Sequence, residues 1–177
     1  MKRQGFVKMI DARGYRVAAE IGVAWAQFSV QLLHSRLETL YCVDSWAQRT
    51  RKRGRQPWGT RFSMAKAIEV LKPFGSRAVV LRSESADAAH LLKDVGLDFV
   101  YIDATHSYEA VKRDIELWWP LVKRGGVLAG HDYSPEAHRC CNGVIRAVDQ
   151  FVAGNKLELN LTSGDYPEIM ESWWVNK

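Results

Sequence analysis

The segment of residues 99–133 constrains the fold of this 177-residue chain more than any other part of its sequence. Two short apolar runs, Phe99–Ile102 and Gly126–Gly130, have the length and composition of buried strands. Apolar residues between them recur at intervals of four, three and four, which is one face of an α-helix: Val111, Ile115, Trp118 and Val122. Ser107 is a suitable N-cap, and the glycine pair at 125 and 126 supplies the turn after the helix.

A strand, a helix and a strand joined by short connections predict a βαβ unit with parallel neighbouring strands. Asp103 follows the first strand, and His131 and Asp132 follow the second. His106 lies in the joint that leads into the helix. Because the carboxyl ends of parallel strands lie at one edge of a sheet, where open α/β sheets bind ligands, these four side chains are predicted to surround one crevice.

Composition is that of a globular protein, with 47% hydrophobic and 25% charged residues. The length predicts one domain over residues 1–177. No apolar run approaches the roughly 20 residues that span a bilayer, and no apolar segment follows the basic residues at the N-terminus, so neither a membrane span nor a secretory signal is expected.

The chain has three cysteines, an odd number that does not indicate a disulfide framework. They are interpreted as reduced thiols of a cytoplasmic protein. A metal site of Cys140, Cys141 and His138 is the alternative, although the spacing of these residues matches no zinc motif.

The rest of the chain repeats the strand–helix pattern. Residues 1–15 are expected to form a short helix or arm, and residues 45–58 a loop. Ser85 is the expected N-cap of the fourth helix. The predicted strands are Arg16–Ile21, Thr39–Val43, Arg77–Leu81 and a terminal antiparallel pair, Leu157–Leu161 and Ser172–Val175; the predicted helices start near Trp25 or Ala26 and cover Thr60–Leu71, Ala86–Val95 and Gly143–Ala153.

The first strand ends in a turn that is typical of nucleotide-binding folds. Gly22 follows the strand directly, and Ala24 and Ala26 stand where further glycines are usual. Asp44 ends the second strand, 22 positions after Gly22. A carboxylate at that place commonly binds the ribose hydroxyls of a nucleotide, whereas alone it would more often form a turn or cap a helix.

The net charge of +5 has a local origin in the predicted loop. Five basic residues fall within one seven-residue window: Arg49, Arg51, Lys52, Arg53 and Arg55. The remaining lysines and arginines equal in number the 20 acidic residues. The window is interpreted as a solvated loop, with a patch for nucleic acid or another anionic partner as the alternative.

The order of five strand–helix units followed by two strands resembles the class I S-adenosylmethionine-dependent methyltransferases. The segments that carry the resemblance are AEIGVAWAQFS, LYCVDSW, LRSES, residues 99–133 and NGVIRAVDQF. Within the class the chain looks most like sugar and macrolide O-methyltransferases and cephalosporin-hydroxylase-like proteins, which are related to catechol-type enzymes. The resemblance implies a Rossmann-like, doubly wound α/β sheet of seven strands, mostly parallel, whose last strand is antiparallel.

The resemblance also implies how S-adenosylmethionine is bound. Glu20 matches the acid that holds the methionine amino group, and Gly22 matches the glycine past which the cofactor lies. Asp44 matches the ribose-binding carboxylate. Glu84 and Ser85 fall where the family contacts adenine. Ala26 departs from the family pattern, in which a third glycine is frequent.

The metal-dependent relatives imply a second set of residues, beyond the cofactor loop. Asp103 and Asp132 match their Mg²⁺ ligands, and His131 stands where an acidic or amide residue is usual. Imidazole favours Mn²⁺, Fe²⁺ or Zn²⁺ over Mg²⁺. His106 has the offset from Asp103 of the general base of catechol-type enzymes, and histidine, with a pKa of about 6.5, suits that role. Loop capping by the two acids and a solvent-facing His106 are the alternatives.

These features predict O-methylation of a small-molecule or sugar hydroxyl. A dehydrogenase is disfavoured because the G-x-G-x-x-G motif is degraded. A methyltransferase fold without catalysis, which binds nucleic acid or an acidic partner through residues 49–55, is the alternative. The N/D-P-P-Y/F signature of nucleic-acid amino-methyltransferases is absent, since the sequence there reads DATH. Only about 15 residues precede the first predicted strand. The acceptor site is therefore expected to be open, to be completed by a second subunit of a homo-oligomer, or to be formed by the 45–58 loop.

Overall fold

The structure, a computed structural model, describes residues 1–47, 61–134, 142–163 and 171–177, and only the backbone of residues 61–63. The basic cluster at 49–55 and the proposed Cys140, Cys141 and His138 site lie outside the described residues. The helices are α1 Gly5–Arg13, α2 Gln27–Leu33, α3 Arg61–Leu71, α4 Ser85–Leu91, α5 Tyr108–Trp118 and α6 Asn142–Asn155. The strands are β1 Val17–Ile21, β2 Thr39–Asp44, β3 Ala78–Arg82, β4 Leu97–Ile102, β5 Val122–Gly130, β6 Asn160–Leu161 and β7 Trp173–Asn176.

Among the described residues the strands form one seven-stranded sheet in the order β3-β2-β1-β4-β5-β7-β6. The pairs among β1 to β5 are all parallel. Strand β7 is antiparallel to both of its neighbours, β5 and β6. The predicted Rossmann-like, mostly parallel sheet with an antiparallel last strand is therefore confirmed.

The predicted βαβ unit is present and sets the geometry of one sheet edge. Ile102 and Gly130 are partners in the pairing of β4 with β5. One residue further, the backbone N–H of His131 donates to the carbonyl of Ile102 at 3.0 Å. On the other side of β4, the N–H of Asp103 donates to the carbonyl of Ile21 at 2.7 Å. The residues that directly follow β1, β4 and β5 thus lie at the same edge of the sheet, the carboxyl edge of the parallel strands.

The helix inside this unit is shorter than predicted. Helix α5 ends at Trp118, and a 3₁₀ turn over Trp119–Leu121 precedes Val122, which is the first residue of β5 and not part of the helix. Pro120 accounts for the difference, since proline has no N–H to continue the helical hydrogen bonds. Gly125 and the residue after it lie in β5, near a register shift between β4 and β5, rather than in a turn after the helix.

Apolar side chains cover both faces of the sheet. One cluster contains the buried residues of α4, α5 and α6, including Trp118, and the other contains those of α1 and α2. The N-terminal helix is integral to the second cluster, because Phe6 and Ile10 are fully buried in it. Phe6 contacts the rings of Phe28 and Tyr101, with centroids 6.5 and 5.7 Å away. The predicted lead-in helix is therefore part of the core.

Other observations concern cysteine chemistry and membranes. Cys42 is a buried free thiol whose pKa is raised by burial. In the ranges of chain that the structure covers, no helix combines the length and apolarity that crossing a bilayer requires.

Candidate active site

A cleft of about 740 Å³ opens at the carboxyl edge of the parallel strands. All sequence-predicted site residues line it: Glu20, Gly22, Asp44, Glu84, Ser85, Asp103, His106, His131 and Asp132. Strands β1, β2, β3, β4 and β5 each contribute their end or the connection that follows. The four side chains that were predicted to surround one crevice, at positions 103, 106, 131 and 132, do so, and the residues matched to the cofactor line the same cleft.

The turn after β1 passes close under the β4 connection. Gly22 has a φ of +95°, and a Cβ atom at this position would lie 2.0 Å from the carbonyl oxygen of Asp103. Only glycine therefore fits between these two loops. Ala24 and Ala26 have φ angles of 49° and 61°, in the left-handed region that favours glycine. The two alanines thus occupy glycine-type backbone positions, as the degraded glycine motif suggested.

We expect Ala24→Gly to raise the free energy of unfolding by about 1 kcal/mol, because glycine relieves the left-handed strain at a half-buried position. Ala65→Gly is the matched control, since Ala65 is exposed inside α3. There glycine should lower stability by about 0.5–1 kcal/mol. Urea denaturation of both variants checks the prediction, and two destabilising results would show that the turn carries no relievable strain.

Asp44 organises the cofactor side of the cleft. Its carboxylate accepts the backbone N–H of Ala24 at 2.9 Å and that of Trp46 at 2.7 Å. The indole N–H of Trp46 donates to the carbonyl of Ala24 at 2.9 Å, so the ends of β1 and β2 are tied together. The turn-forming role considered for Asp44 is therefore observed, and its carboxylate remains at the cleft wall, where the ribose role would require it.

Glu20 is a buried acid at the end of β1, with 2% of its surface exposed. The hydroxyl of Ser29 in α2 donates a hydrogen bond to its carboxylate. Burial raises the pKa of Glu20 to about 8, against the lowering effects of the Ser29 hydrogen bond and the Arg3 charge. A carboxyl group of this kind is prepared to become charged when a cation reaches it.

Ser85 does not cap α4 as predicted; it is the first residue of that helix, and the preceding residue is the N-cap. Its hydroxyl donates to the carboxylate of Asp114 at 2.6 Å and accepts the indole N–H of Trp118 at 2.9 Å. Tertiary contact with α5 therefore replaces local capping. Asp114 is buried and lines the cleft, and burial raises its pKa although the Ser85 bond lowers it. Glu84 is exposed beside them.

Asp103 carries an ion pair with the N-terminal segment. The Arg3 guanidinium donates to Oδ2 of Asp103 at 2.9 Å. The same guanidinium carbon lies 4.1 Å from the centroid of the Phe28 ring and 5.2 Å from that of Tyr101. An arginine near the start of the chain thus reaches the end of β4, a distance of 100 residues along the sequence.

Asp132 lies between two histidines. Nε2 of His106 is 2.9 Å from its Oδ2, and Nδ1 of His131 is 3.4 Å from its Oδ1. Burial alone would raise the pKa of Asp132, but the hydrogen bonds from His106 and His131 outweigh it, so this pKa lies well below its usual range. Asp132 also has a left-handed φ of 62°, a strained backbone that is frequent at functional sites.

The residues at the ends of β4 and β5 fit a divalent cation. Asp103, His131 and Asp132 each offer one donor atom, and these atoms lie within 4.8 Å of one another. Nε2 of His131 is buried and has no hydrogen-bond partner among the described residues. Two carboxylates and an imidazole are a donor set that suits Mn²⁺, Fe²⁺ or Zn²⁺ at least as well as Mg²⁺.

Sequence reasoning missed three side chains: Arg3 and Asp114, which line the cleft, and Ser29, which is buried and donates to Glu20. Arg3 and Asp114 pair with partners far along the chain, at separations of 100 and 29 residues. Asp114 falls on the helical face between Val111 and Ile115, so an acid at that position was a signal that could have been read as a buried carboxyl.

Comparison with known proteins gives two results at the level of sequence. A family model described as "Methyltransferase domain" matches residues 20–133. Among curated proteins, none matches this chain.

Solved structures give a wider set of similar folds. A putative caffeoyl-CoA O-methyltransferase from Staphylococcus aureus has a TM-score of 0.74 and 13% identity, covering 99% of this chain and 82% of that one. An O-methyltransferase from Bacillus cereus in complex with SAH has a TM-score of 0.75 and 14% identity, covering 99% and 80%. An rRNA methylase from Streptococcus thermophilus has a TM-score of 0.67 and 13% identity, covering 98% and 93%. At these identities the similarity concerns the fold.

Proposed function

This chain belongs to the methyltransferase domain family, and we propose that it transfers the methyl group of S-adenosylmethionine to a hydroxyl oxygen of a small molecule or sugar. The resemblance to class I S-adenosylmethionine-dependent methyltransferases is confirmed by the family match and by the fold. The observation that favours a hydroxyl acceptor is the group formed by His106, Asp132 and Asp103 at one end of the cleft. A hydroxyl must lose its proton during methyl transfer, and this group provides the means.

The other side of the cleft supports the cofactor assignment. Glu20 would accept the methionyl ammonium, and the turn at Gly22, which packs against the Asp103 backbone, would form part of the wall along which the cofactor lies. Asp44 would bind the ribose hydroxyls. Glu84 and Ser85 would lie along the adenine, where Ser85 is already oriented by its bonds to α5. Asp103 lines the boundary between the two halves and would contact both.

Proton transfer is assigned to His106. Its Nε2 lies 2.9 Å from Oδ2 of Asp132, and the imidazole would accept the proton of the acceptor hydroxyl. Asp132 would then stabilise the imidazolium, and its lowered pKa keeps it charged for that purpose. The preorganised dipoles of this end of the cleft do not have to rearrange as charge develops.

Asp103, His131 and Asp132 would hold a divalent cation. When bound, such a cation supplies positive charge that favours the alkoxide form of the acceptor. The methyl donor, when bound, supplies a methyl group on a sulfonium sulfur, and the walls of the cleft would align this methyl group with the acceptor oxygen.

The test uses S-adenosylmethionine with a ¹³C-labelled methyl group and a panel of sugars, catechols and other hydroxyl compounds. We expect NMR of the product to show the label on oxygen, and activity to be lost with a chelator and restored by Mg²⁺ or Mn²⁺. A label on nitrogen or carbon would reject the hydroxyl acceptor. Full activity in excess chelator would reject the cation and leave His106 as a metal-free base.

A further inference from the structure

Arg3 forms an ion pair with one of the carboxylates that the proposed cation site needs. Its guanidinium lies 2.9 Å from Oδ2 of Asp103, and the side chains of the pair are only 17% and 23% exposed. The donor atoms of Asp103, His131 and Asp132 form the candidate cation site, so Arg3 is in direct contact with one of its three members. A positive side chain at a cation site requires a physical explanation.

The position of Arg3 is fixed by the core rather than by the ion pair alone. The guanidinium lies over the Phe28 ring, 4.1 Å from its centroid, and near the Tyr101 ring. Both rings contact Phe6, which is fully buried in the N-terminal helix directly after the segment that carries Arg3. Cation–π contacts of this kind stabilise arginine more strongly when it is partly desolvated. Arg3 is therefore placed at Asp103 by the fold.

Electrostatics then determines what Arg3 does to a metal ion. The carboxylates of Asp103 and Asp132 would present two negative charges to an ion, and the guanidinium cancels one of them. An ion bound to Asp103 would lie within a few ångströms of the guanidinium, where repulsion between a single and a double charge is large even with strong screening. The lone pairs of Oδ2 are also shared with the arginine N–H.

We propose that Arg3 is an internal counter-cation of the active site, which competes with a divalent cation for Asp103 and thereby sets how tightly the site binds the metal. Binding of the ion requires Arg3 to release Oδ2 or to share Asp103 with it. The N-terminal segment is thus part of the catalytic site, as well as part of the core. This inference rests on the proposed function, specifically on the cation site at Asp103.

The experiment measures the Kd of Mn²⁺ for the intact protein by electron paramagnetic resonance of the free ion, without cofactor or acceptor. Arg3→Met removes the charge and keeps an apolar side chain over Phe28, and we expect it to bind Mn²⁺ about tenfold more tightly than the wild type. Arg3→Lys keeps the charge and should stay within about threefold of the wild type. Asp103→Asn should abolish Mn²⁺ binding, both alone and when combined with Arg3→Met.

The matched control is Arg13→Met. Arg13 is the last residue of α1, the helix that follows Arg3, and it donates to Tyr15 and Asn176, so its loss changes the net charge equally but outside the cleft. Its Mn²⁺ affinity should equal that of the wild type. Binding of S-adenosylhomocysteine confirms folding of each variant, and Arg3→Gln makes the same test if Arg3→Met does not fold.

Two results would overturn the inference and leave the proposed function intact. In the first, the wild type binds Mn²⁺ in a way that depends on Asp103, and Arg3→Met has the same affinity for the ion or a weaker one. The second is equal tightening by Arg13→Met, which would trace the effect to net charge. If neither the wild type nor Arg3→Met binds Mn²⁺ at millimolar concentration while both bind S-adenosylhomocysteine, the cation site of the proposed function fails, and the inference fails with it.

Discussion

His106→Ala is expected to lower kcat by a factor of about 10²–10⁴ while leaving the affinity for S-adenosylhomocysteine unchanged. The imidazole is the group that would take the acceptor proton, and its partner in the cleft is Asp132, which is not among the residues assigned to the cofactor. The backbone that carries the imidazole is closely packed. Ser107 caps α5 immediately after it, and a Cβ atom on Gly143 of α6 would lie 2.4 Å from the His106 carbonyl oxygen.

Single-turnover methyl transfer and calorimetry with S-adenosylhomocysteine separate the two effects. The matched control is His90→Ala, because His90 is an exposed histidine on α4, and both measurements should match the wild type. Partial restoration of His106→Ala by added imidazole would support a role in proton transfer. Turnover equal to that of the wild type would show instead that His106 faces solvent without a catalytic role, which was the alternative interpretation of the sequence.

The part of the site that could be predicted is the part that backbone rules determine. Asp103 and His131 follow strands whose apolar runs and connecting helix are visible in the sequence, and adjacent parallel strands end at one edge. Their proximity therefore needed no knowledge of side chains. The turn at Gly22 was predicted in the same way, although glycine was attributed to the passage of the cofactor, whereas in the structure the close approach of the Asp103 carbonyl requires it.

Predictions that rested on local side-chain chemistry were less secure. Serine is a residue type that commonly caps helices, but the Ser85 hydroxyl is hydrogen-bonded to Asp114 and Trp118 on another helix. Val122 matches the helical period of α5, but Pro120 ends the helix before it. In both cases a contact or restriction outside the simple pattern determined the outcome, which is how tertiary structure overrides local preference.

Arg3 could not have been assigned from the sequence. In the sequence, Arg3 is only part of a basic N-terminal segment. Its position in the structure depends on the burial of Phe6 against Phe28 and Tyr101. An ion pair between residues 3 and 103 is a product of the whole fold. Likewise, a glutamate at the end of a strand gives no indication of its pKa, which depends on how completely the assembled helices exclude water from Glu20.

Glu20→Gln is expected to remove a pH dependence of stability that the wild type shows between about 4.5 and 8. Because burial raises the pKa of Glu20 in the folded state, the folded protein holds this proton over a range in which the unfolded chain releases it. The contribution of Glu20 to stability is therefore fully present below pH 4.5 and is lost as pH rises through about 8. A glutamine stays neutral and can still accept the Ser29 hydrogen bond.

At pH 9 the variant should consequently unfold with a free energy higher than that of the wild type by on the order of a few kcal/mol. Urea denaturation from pH 5 to pH 9 measures the difference. Glu38→Gln is the matched control, since Glu38 is 69% exposed and its replacement should leave the pH profile unchanged. A wild-type profile that already matches Glu20→Gln would mean that water reaches the Glu20 carboxylate.

The same burial predicts a proton effect on cofactor binding. A methionyl ammonium beside Glu20 favours the charged carboxylate, so binding of S-adenosylhomocysteine at pH 7 should release a proton from the wild type and none from Glu20→Gln. Calorimetry in two buffers of different ionisation enthalpy measures that release. We also expect the variant to bind at least tenfold more weakly, as for loss of a charge-assisted hydrogen bond. If proton release is absent and the affinity is unchanged while the stability effect is present, Glu20 is a structural acid of the core, and the ammonium of the cofactor binds elsewhere in the cleft.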